Sequence, residues 1–189
     1  MQHGAIFAGF GGQGLLFCGK VLAEAALLEG KHVTWMPSYG PEMRGGTASC
    51  TVVVSDRPIG SPILDQADAV VALNPPSLAR FESIVAPKGL LVMNTSLIEA
   101  EPARHDIEVL AMPCTRIASD VGDVALVSIV ALGGLIAYRP IVRPESVRHA
   151  LMEMLTGKKR QLLDLDLAAF ERGYEEGAPI TELITDAYV

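Results

Sequence analysis

A short apolar run that ends in glycines decides the fold of this chain: Gly4-Ala5-Ile6-Phe7-Ala8-Gly9-Phe10-Gly11-Gly12-Gln13-Gly14, followed at once by Leu15 to Glu29. Residues 4–10 predict a buried strand, and residues 15–29 repeat apolar side chains at the spacing of a helix. The segment between them matches the pattern G-x-G-x-x-G. Free backbone N–H groups and the helix dipole favour an anion in that position, so the stretch predicts a phosphate-binding turn.

Two interpretations of this turn stay open. The glycines either bind a phosphate-bearing group or only permit a sharp turn with close packing of helix on strand. A nicotinamide dinucleotide also needs an acidic residue at the end of the second strand, to hold the ribose hydroxyls. His32 to Met36 predicts that strand, which runs into Pro37 and Ser38 with no Asp or Glu in place. We therefore expect another phosphate-bearing group, or the loop of a partner chain, at the turn.

A second glycine-containing loop follows this second predicted strand. It comprises Tyr39, Gly40, Pro41, Glu42, Met43, Arg44, Gly45 and Gly46. We expect it beside the glycine-rich turn, because ligands of open α/β sheets bind where the carboxyl ends of strands meet. Arg44 offers a guanidinium for phosphate or carboxylate, and Tyr39 offers a stacking face. The alternative is an exposed turn in which Glu42 and Arg44 only pair with each other.

The rest of the chain alternates predicted strands and helices. Apolar and β-branched runs predict strands at Thr47–Ser55, Asp68–Asn74, Gly89–Asn94 and Ile107–Ala111. Helices are predicted at Ser77–Val85, Asp120–Ala137, Pro144–Thr156 and Leu165–Glu176, with Asp164 and Asp166 as caps of the last one. This alternation indicates an α/β fold of three layers: a mostly parallel, possibly mixed sheet, helices on both faces and a helical C-terminal third. We find no repeat and no linker, so residues 1–189 are expected to form a single domain.

Composition excludes several classes of protein. The formal net charge of −7 leaves no general basic surface for nucleic acid. The longest apolar run, Val124 to Tyr138, is short for a membrane span and typical of a buried helix. Cys18, Cys50 and Cys114 are isolated, which is typical of a reducing compartment and provides no self-contained zinc or iron–sulfur motif. Because the first residues lack the basic segment of a signal peptide, we expect a cytoplasmic protein.

These motifs together resemble one enzyme family. The segments that carry the resemblance are Gly9–Gly14, Lys20-Val21-Leu22-Ala23, Tyr39–Gly46, Asp56-Arg57-Pro58-Ile59-Gly60-Ser61-Pro62, Leu73-Asn74 and Ala169-Phe170-Glu171-Arg172-Gly173-Tyr174-Glu175. They look like the gamma subunit, or the corresponding domain, of the 2-oxoacid:ferredoxin oxidoreductases. The match spans nearly the whole chain. Its Gly-Pro-Glu-Met-Arg-Gly-Gly form is most similar to the 2-oxoglutarate and indolepyruvate types.

The resemblance implies a role in a multisubunit enzyme that oxidatively decarboxylates a 2-oxo acid, with 2-oxoglutarate the first candidate. The acyl group passes to coenzyme A and the electrons pass to ferredoxin. It further implies that thiamine diphosphate, Mg²⁺ and iron–sulfur clusters lie on alpha, beta and ferredoxin-like delta partner subunits. This gamma-type catalytic domain would contribute the coenzyme A region and a subunit interface, with no catalytic residue, no metal and no activity alone.

The residues implied for coenzyme A are those of the two glycine-containing loops: Gly9, Gly11, Gly12, Gln13, Gly14, Tyr39, Gly40, Pro41, Glu42, Met43, Arg44, Gly45 and Gly46. Family members often carry Asn where this chain has Asp123 and Ser128, so no amide contact is carried over to these two positions. The alternatives are a pyruvate-, branched-chain- or indolepyruvate-specific homologue, an independent nucleotide-binding domain, and a structural scaffold whose loops only grip partner subunits.

Overall fold

A single six-stranded sheet forms the centre of the molecule in the computed structural model, which describes residues 1–39 and 47–178. The strands are β1 (Gln2–Phe10), β2 (His32–Tyr39), β3 (Thr47–Ser55), β4 (Ala67–Ala72), β5 (Val85–Asn94) and β6 (Glu108–Met112), in the spatial order β2-β3-β1-β4-β5-β6. Every strand predicted from the sequence is present, and β3 has the predicted bounds.

The sheet is mixed because one strand runs against the others. β1, β4, β5 and β6 pair in parallel, whereas β3 lies antiparallel to both β1 and β2. The first helix therefore connects two strands of the same direction that are not neighbours, since β3 fills the gap between them. The expected mostly parallel, possibly mixed sheet is confirmed.

Within the described residues, six α-helices surround the sheet: α1 (Leu15–Leu28), α2 (Pro75–Phe81), α3 (Cys114–Val121), α4 (Val127–Tyr138), α5 (Pro144–Met154) and α6 (Leu163–Gly177). Alternate side chains of β1 face two different cores. Ala5 and Phe7 pack into a large core with α1 and α3 to α6, whereas Ile6 and Ala8 pack into a smaller core with α2. Helices thus cover both faces, as expected, but unequally. No helix among the described residues is long and apolar enough to cross a membrane.

The helix predicted at Asp120–Ala137 is wrong as one continuous element. α3 ends at Val121, its C-cap Gly122 has a positive φ of 135°, and a 3-10 turn at Val124–Leu126 precedes α4. Asp123 caps this turn, because its Oδ1 accepts a hydrogen bond from the N–H of Ala125 at 2.9 Å. The apolar spacing continues across the break, which is why the sequence pattern did not reveal it.

Glycines bring α4 and α6 into backbone contact. A Cβ added to Gly173 of α6 would lie 2.7 Å from the carbonyl carbon of Val130, and one on Gly177 would lie 2.7 Å from the carbonyl oxygen of Gly134. From the α4 side, a Cβ on Gly133 would lie 2.7 Å from the backbone nitrogen of Tyr174. No side chain larger than hydrogen fits at these positions. This seam, formed by Gly133, Gly134, Gly173 and Gly177, holds α6 against the core.

Candidate functional site

The strand ends that flank the two glycine-containing loops lie at the same edge of the sheet. In the register of β1 with β3, Phe10 pairs with Thr47, and in that of β2 with β3, Tyr39 pairs with Ala48. The carboxyl ends of β1 and β2 therefore flank the start of β3. Gly9, Gly11, Gly12, Gln13 and Gly14 lie among the described residues, as does the backbone of Tyr39. The other predicted site residues, Gly40, Pro41, Glu42, Met43, Arg44, Gly45 and Gly46, lie outside them.

The glycine-rich turn is closed by its own glutamine. Gln13 Oε1 accepts a hydrogen bond from the N–H of Phe10 at 2.6 Å, and the N–H of Gln13 donates to the carbonyl of Phe10 at 3.2 Å. Gly12 has a φ of 102° and Gly14 a φ of 74°, backbone conformations that suit glycine. Gly11 and Gly12 are exposed, whereas Gln13 is half-buried. Gln13 therefore shapes the turn, and the exposed backbone at Gly11 and Gly12 is the part open to a ligand.

The start of α1 is suited to an anion. Its N-cap is Gly14, which provides no side-chain cap, and its first turn contains no acidic residue. The N–H groups in the first turn of a helix lack intrahelical acceptors and carry the positive end of the helix dipole. An anion placed here would accept hydrogen bonds from these N–H groups and would be attracted by the helix dipole.

A second helix start meets the first at Gly14. A Cβ on Gly14 would lie 2.9 Å from Ser128 Oγ, at the start of α4, and 3.1 Å from the carbonyl oxygen of Ala125. Ser128 is fully buried, and its hydroxyl has no hydrogen-bond partner among the described residues. The sequence interpretation placed Ser128 inside a core helix and missed this contact. Two signals pointed to it: a hydroxyl interrupting an otherwise apolar run, and the departure from the family pattern at this position.

Two buried asparagines organise the neighbouring strand ends. Asn74, after β4, accepts a hydrogen bond from the N–H of Ser77 at 2.9 Å and so caps α2. Asn94, at the end of β5, donates to the carbonyl of Leu73 at 3.1 Å and to Thr115 Oγ1 at 2.9 Å. Neither was predicted as a site residue, although Leu73-Asn74 belonged to the resemblance.

The helices differ in whether their first turns contain acidic residues. α1, α2, α3 and α4 all begin at this edge, and none has an acidic residue in its first turn. α5, which begins near the end of α1, has Glu145 in its first turn. α6 begins beside Gly122 and Asp123, and its first turn contains Asp164 and Asp166. Acidic residues normally stabilise helix N-termini, so their absence from the first turns of α1 to α4 leaves the positive potential of these helix starts available to a ligand.

The three cysteines do not fit a metal or an iron–sulfur cluster. Burial raises the pKa of Cys18 well above its usual range, and it raises the pKa values of Cys50 and Cys114 to about 12. Cys18 Sγ donates to the carbonyl of Ser128, and Cys50 Sγ donates to that of Leu15. Over residues 1–39 and 47–178, no three or more His, Cys, Asp or Glu side chains lie close enough together to hold a metal ion.

Asp166 departs from its expected role as a helix cap. α6 has no side-chain hydrogen bond at its N-cap, and Asp166 is only 5% exposed. Burial, followed by repulsion from the charge of Asp123, raises the pKa of the Asp166 carboxyl to about 6. The carboxylate is therefore less stable in the folded protein than in water.

Replacing Asp166 with asparagine is expected to stabilise the protein at neutral pH. The folded pKa lies above the ordinary value of 3.8, so the penalty is absent below about pH 4, grows up to about pH 6 and is constant above that. Asp166→Asn should raise the free energy of unfolding by about 1 to 2 kcal/mol at pH 7.5 and leave it unchanged at pH 4. Urea unfolding at both pH values measures this. The exposed Asp164→Asn is the matched control, and a loss of stability for Asp166→Asn at pH 7.5 would contradict the argument.

The fold and this edge define an α/β domain with a glycine-rich turn at the carboxyl ends of its strands. The sequence profile of the pyruvate ferredoxin/flavodoxin oxidoreductase family matches residues 4–176. The chain belongs to this family.

Two curated relatives illustrate the range of the family. Ketoisovalerate oxidoreductase subunit VorA of Methanothermobacter thermautotrophicus is 40% identical over 169 residues, which are 89% of this chain and 35% of that protein. 2-Oxoglutarate synthase subunit KorC of Methanocaldococcus jannaschii is 33% identical over 171 residues, which are 89% of this chain and 90% of that subunit. This chain thus spans about a third of the VorA length but nearly all of the KorC length.

Solved structures agree with the fold. The gamma subunit of a keto/oxoacid ferredoxin oxidoreductase from Geobacter sulfurreducens has a TM-score of 0.81 at 30% identity, with 93% of this chain and 98% of that chain covered. The 2-oxoglutarate:ferredoxin oxidoreductase from Magnetococcus marinus, determined with 2-oxoglutarate, coenzyme A and succinyl-CoA bound, has a TM-score of 0.84 at 22% identity and covers 93% of this chain and 31% of that one. The resemblance of the sequence to gamma-type subunits is confirmed.

Proposed function

We propose that this chain is the gamma subunit of a 2-oxoacid:ferredoxin oxidoreductase, in which it holds part of coenzyme A at the edge described above. The observation that carries the proposal is the meeting of α1 and α4 at Gly14, where two helix starts free of acidic first-turn residues adjoin the exposed Gly11 and Gly12. Coenzyme A carries several phosphate charges, and backbone N–H groups at helix starts bind such charges.

Arg44 supplies the side-chain cation in this proposal. Its loop leaves the sheet at Tyr39 and returns at Thr47, which pairs with Phe10 next to the glycine-rich turn. A guanidinium forms charge-assisted, paired hydrogen bonds with phosphate oxygens. In this proposal, Tyr39 and Glu42 line the same crevice, with Gly40, Pro41, Met43, Gly45 and Gly46 completing the loop.

The chain contributes binding and orientation. Neither loop provides a nucleophile with an adjacent base, so we assign it no catalytic residue. Thiamine diphosphate, Mg²⁺ and iron–sulfur clusters supply the decarboxylation and electron-transfer chemistry from the alpha, beta and delta subunits, with ferredoxin as the acceptor. Residues 1–189 act as one domain of this cytoplasmic assembly, and the chain is inactive alone.

The 2-oxo acid is either 2-oxoglutarate or a branched-chain acid. The KorC relative matches this chain over nearly its full length, which favours 2-oxoglutarate. The higher identity to VorA favours ketoisovalerate as the second candidate. Assaying the purified assembled enzyme with both acids, pyruvate and indolepyruvate, and comparing kcat/KM, decides between them.

Arg44→Ala is expected to raise the apparent KM of the assembled enzyme for coenzyme A by about tenfold, because a charge-assisted phosphate contact contributes about 1.5 to 3 kcal/mol. Steady-state kinetics with varied coenzyme A measures it. Arg57→Ala is the matched control, since Arg57 is exposed at the opposite edge, next to the Gln2–Ser55 pair. If both variants keep the wild-type KM, coenzyme A does not bind through this loop. If Arg44→Ala instead breaks co-purification of the subunits, the loop serves as a scaffold contact.

A further inference from the structure

One carboxylate stands beside the junction of α1 and α4. Asp123 is exposed, and its Oδ1 is held at 2.9 Å from the N–H of Ala125. The carbonyl oxygen of the same Ala125 lies 3.1 Å from the position that a Cβ on Gly14 would take. These contacts, together with ordinary backbone dimensions, place the carboxylate within about 10 Å of Gly14. That is comparable to the screening length at physiological salt, so the charge acts on any ligand at Gly14.

A buried hydroxyl without a partner also indicates that a ligand or water binds at the junction. Ser128 is fully buried, its Oγ points at Gly14, and this hydroxyl has no partner among the described residues. Buried polar groups are normally hydrogen-bonded, and an unpartnered one is typical of a place where a ligand or an ordered water binds. This observation is independent of the two helix dipoles.

Building on the proposed function, we propose that Asp123 is an affinity-limiting residue, which opposes phosphate-bearing ligands at the junction of α1 and α4. Its negative charge, at the edge of the site, opposes the positive potential that the helix starts provide. The charge of Asp123 is already felt inside the protein, since it adds to the destabilisation of the ionised Asp166.

The test is Asp123→Asn in the purified assembled enzyme. Asparagine keeps an Oδ1 that accepts from the N–H of Ala125, so the cap of the 3-10 turn is retained while the charge is removed. At low salt, the inhibition constant of inorganic pyrophosphate against coenzyme A, and the KM for coenzyme A, should both fall by about three- to fivefold, as expected for one charge about 10 Å away at a partly solvated site. At about 0.5 M salt the two enzymes should converge, because screening removes the difference.

Asp65→Asn is the matched control, with the same charge change at an exposed position before β4, at the opposite edge of the sheet. An Asp123→Asn enzyme that behaves like Asp65→Asn overturns this inference, whereas the effect of Arg44→Ala on coenzyme A would still support the proposed function. A gain for Asp123→Asn that persists unchanged at high salt also overturns it, because a steric cause is then responsible. Failure of pyrophosphate to compete with coenzyme A at all, with Arg44→Ala silent, overturns both proposals.

Discussion

Gly173→Ala is expected to lower the free energy of unfolding by about 3 kcal/mol or more, or to prevent folding. The added methyl group would lie 2.7 Å from the carbonyl carbon and 2.9 Å from the Cα of Val130, distances that real Cβ atoms do not tolerate. Backbone atoms cannot move aside as a flexible side chain would, so α6 must shift away from α4. Urea unfolding followed by circular dichroism measures the loss.

The direction of this effect is informative, because alanine normally stabilises a helix over glycine by about 1 kcal/mol. Gly60→Ala is the control: Gly60 lies in the connector between β3 and β4 with no atom within 4 Å of an added Cβ. It should change stability little. A Gly173→Ala protein as stable as the wild type would mean that α4 and α6 do not touch along the seam.

Gly14→Ala is expected to raise the KM for coenzyme A by at least about tenfold, and its control lies in the same chain. Gly14 and Gly30 have almost equal positive φ values, 74° and 73°, so alanine meets the same left-handed strain at both, about 1 to 2 kcal/mol. Only at Gly14 would the new methyl group crowd other atoms, Ser128 Oγ at 2.9 Å and the carbonyl of Ala125 at 3.1 Å. The crowding forces apart the two helix starts that the proposed site needs.

Gly30→Ala should therefore lower stability and keep the wild-type KM. Gly14→Ala should lower stability and also raise the KM. The comparison requires unfolding curves and coenzyme A kinetics for the two variants of the assembled enzyme. Equal KM values for the two variants would show that the junction plays no part in coenzyme A binding.

Much of the fold follows from local sequence pattern. The run from Gly4 to Phe10 and the glycines after it define strand, turn and helix without help from distant residues. The β-branched run of β3 and the apolar run of β5 likewise define strands locally. Pairing between strands is a property of distant segments. Nothing in Thr47–Ser55 alone indicates that β3 inserts between β1 and β2 against their direction.

The candidate site was predictable only in its loops. The spacing of its glycines identifies the glycine-rich turn in the sequence. Ser128 is one hydroxyl in an apolar helix, and only its contact with Gly14 in the folded protein makes it part of the site. Likewise Asp166 has the position of an ordinary N-terminal acid, and its burial depends on how α6 packs. The sequence did not predict the break at Gly122, because apolar side chains keep their helical spacing on both sides of it.

The glycine seam also constrains how the polypeptide matures on the ribosome. Every residue of α4 from Val127 to Ile136 is buried, and α6 is the cover for one side of it. Because α6 is synthesised later than α4, the nascent chain exposes an uncovered apolar helix until α6 emerges. Premature termination or proteolytic trimming before α6 would leave α4 permanently exposed. Such fragments should be substrates for chaperones and degradation rather than partially active subunits.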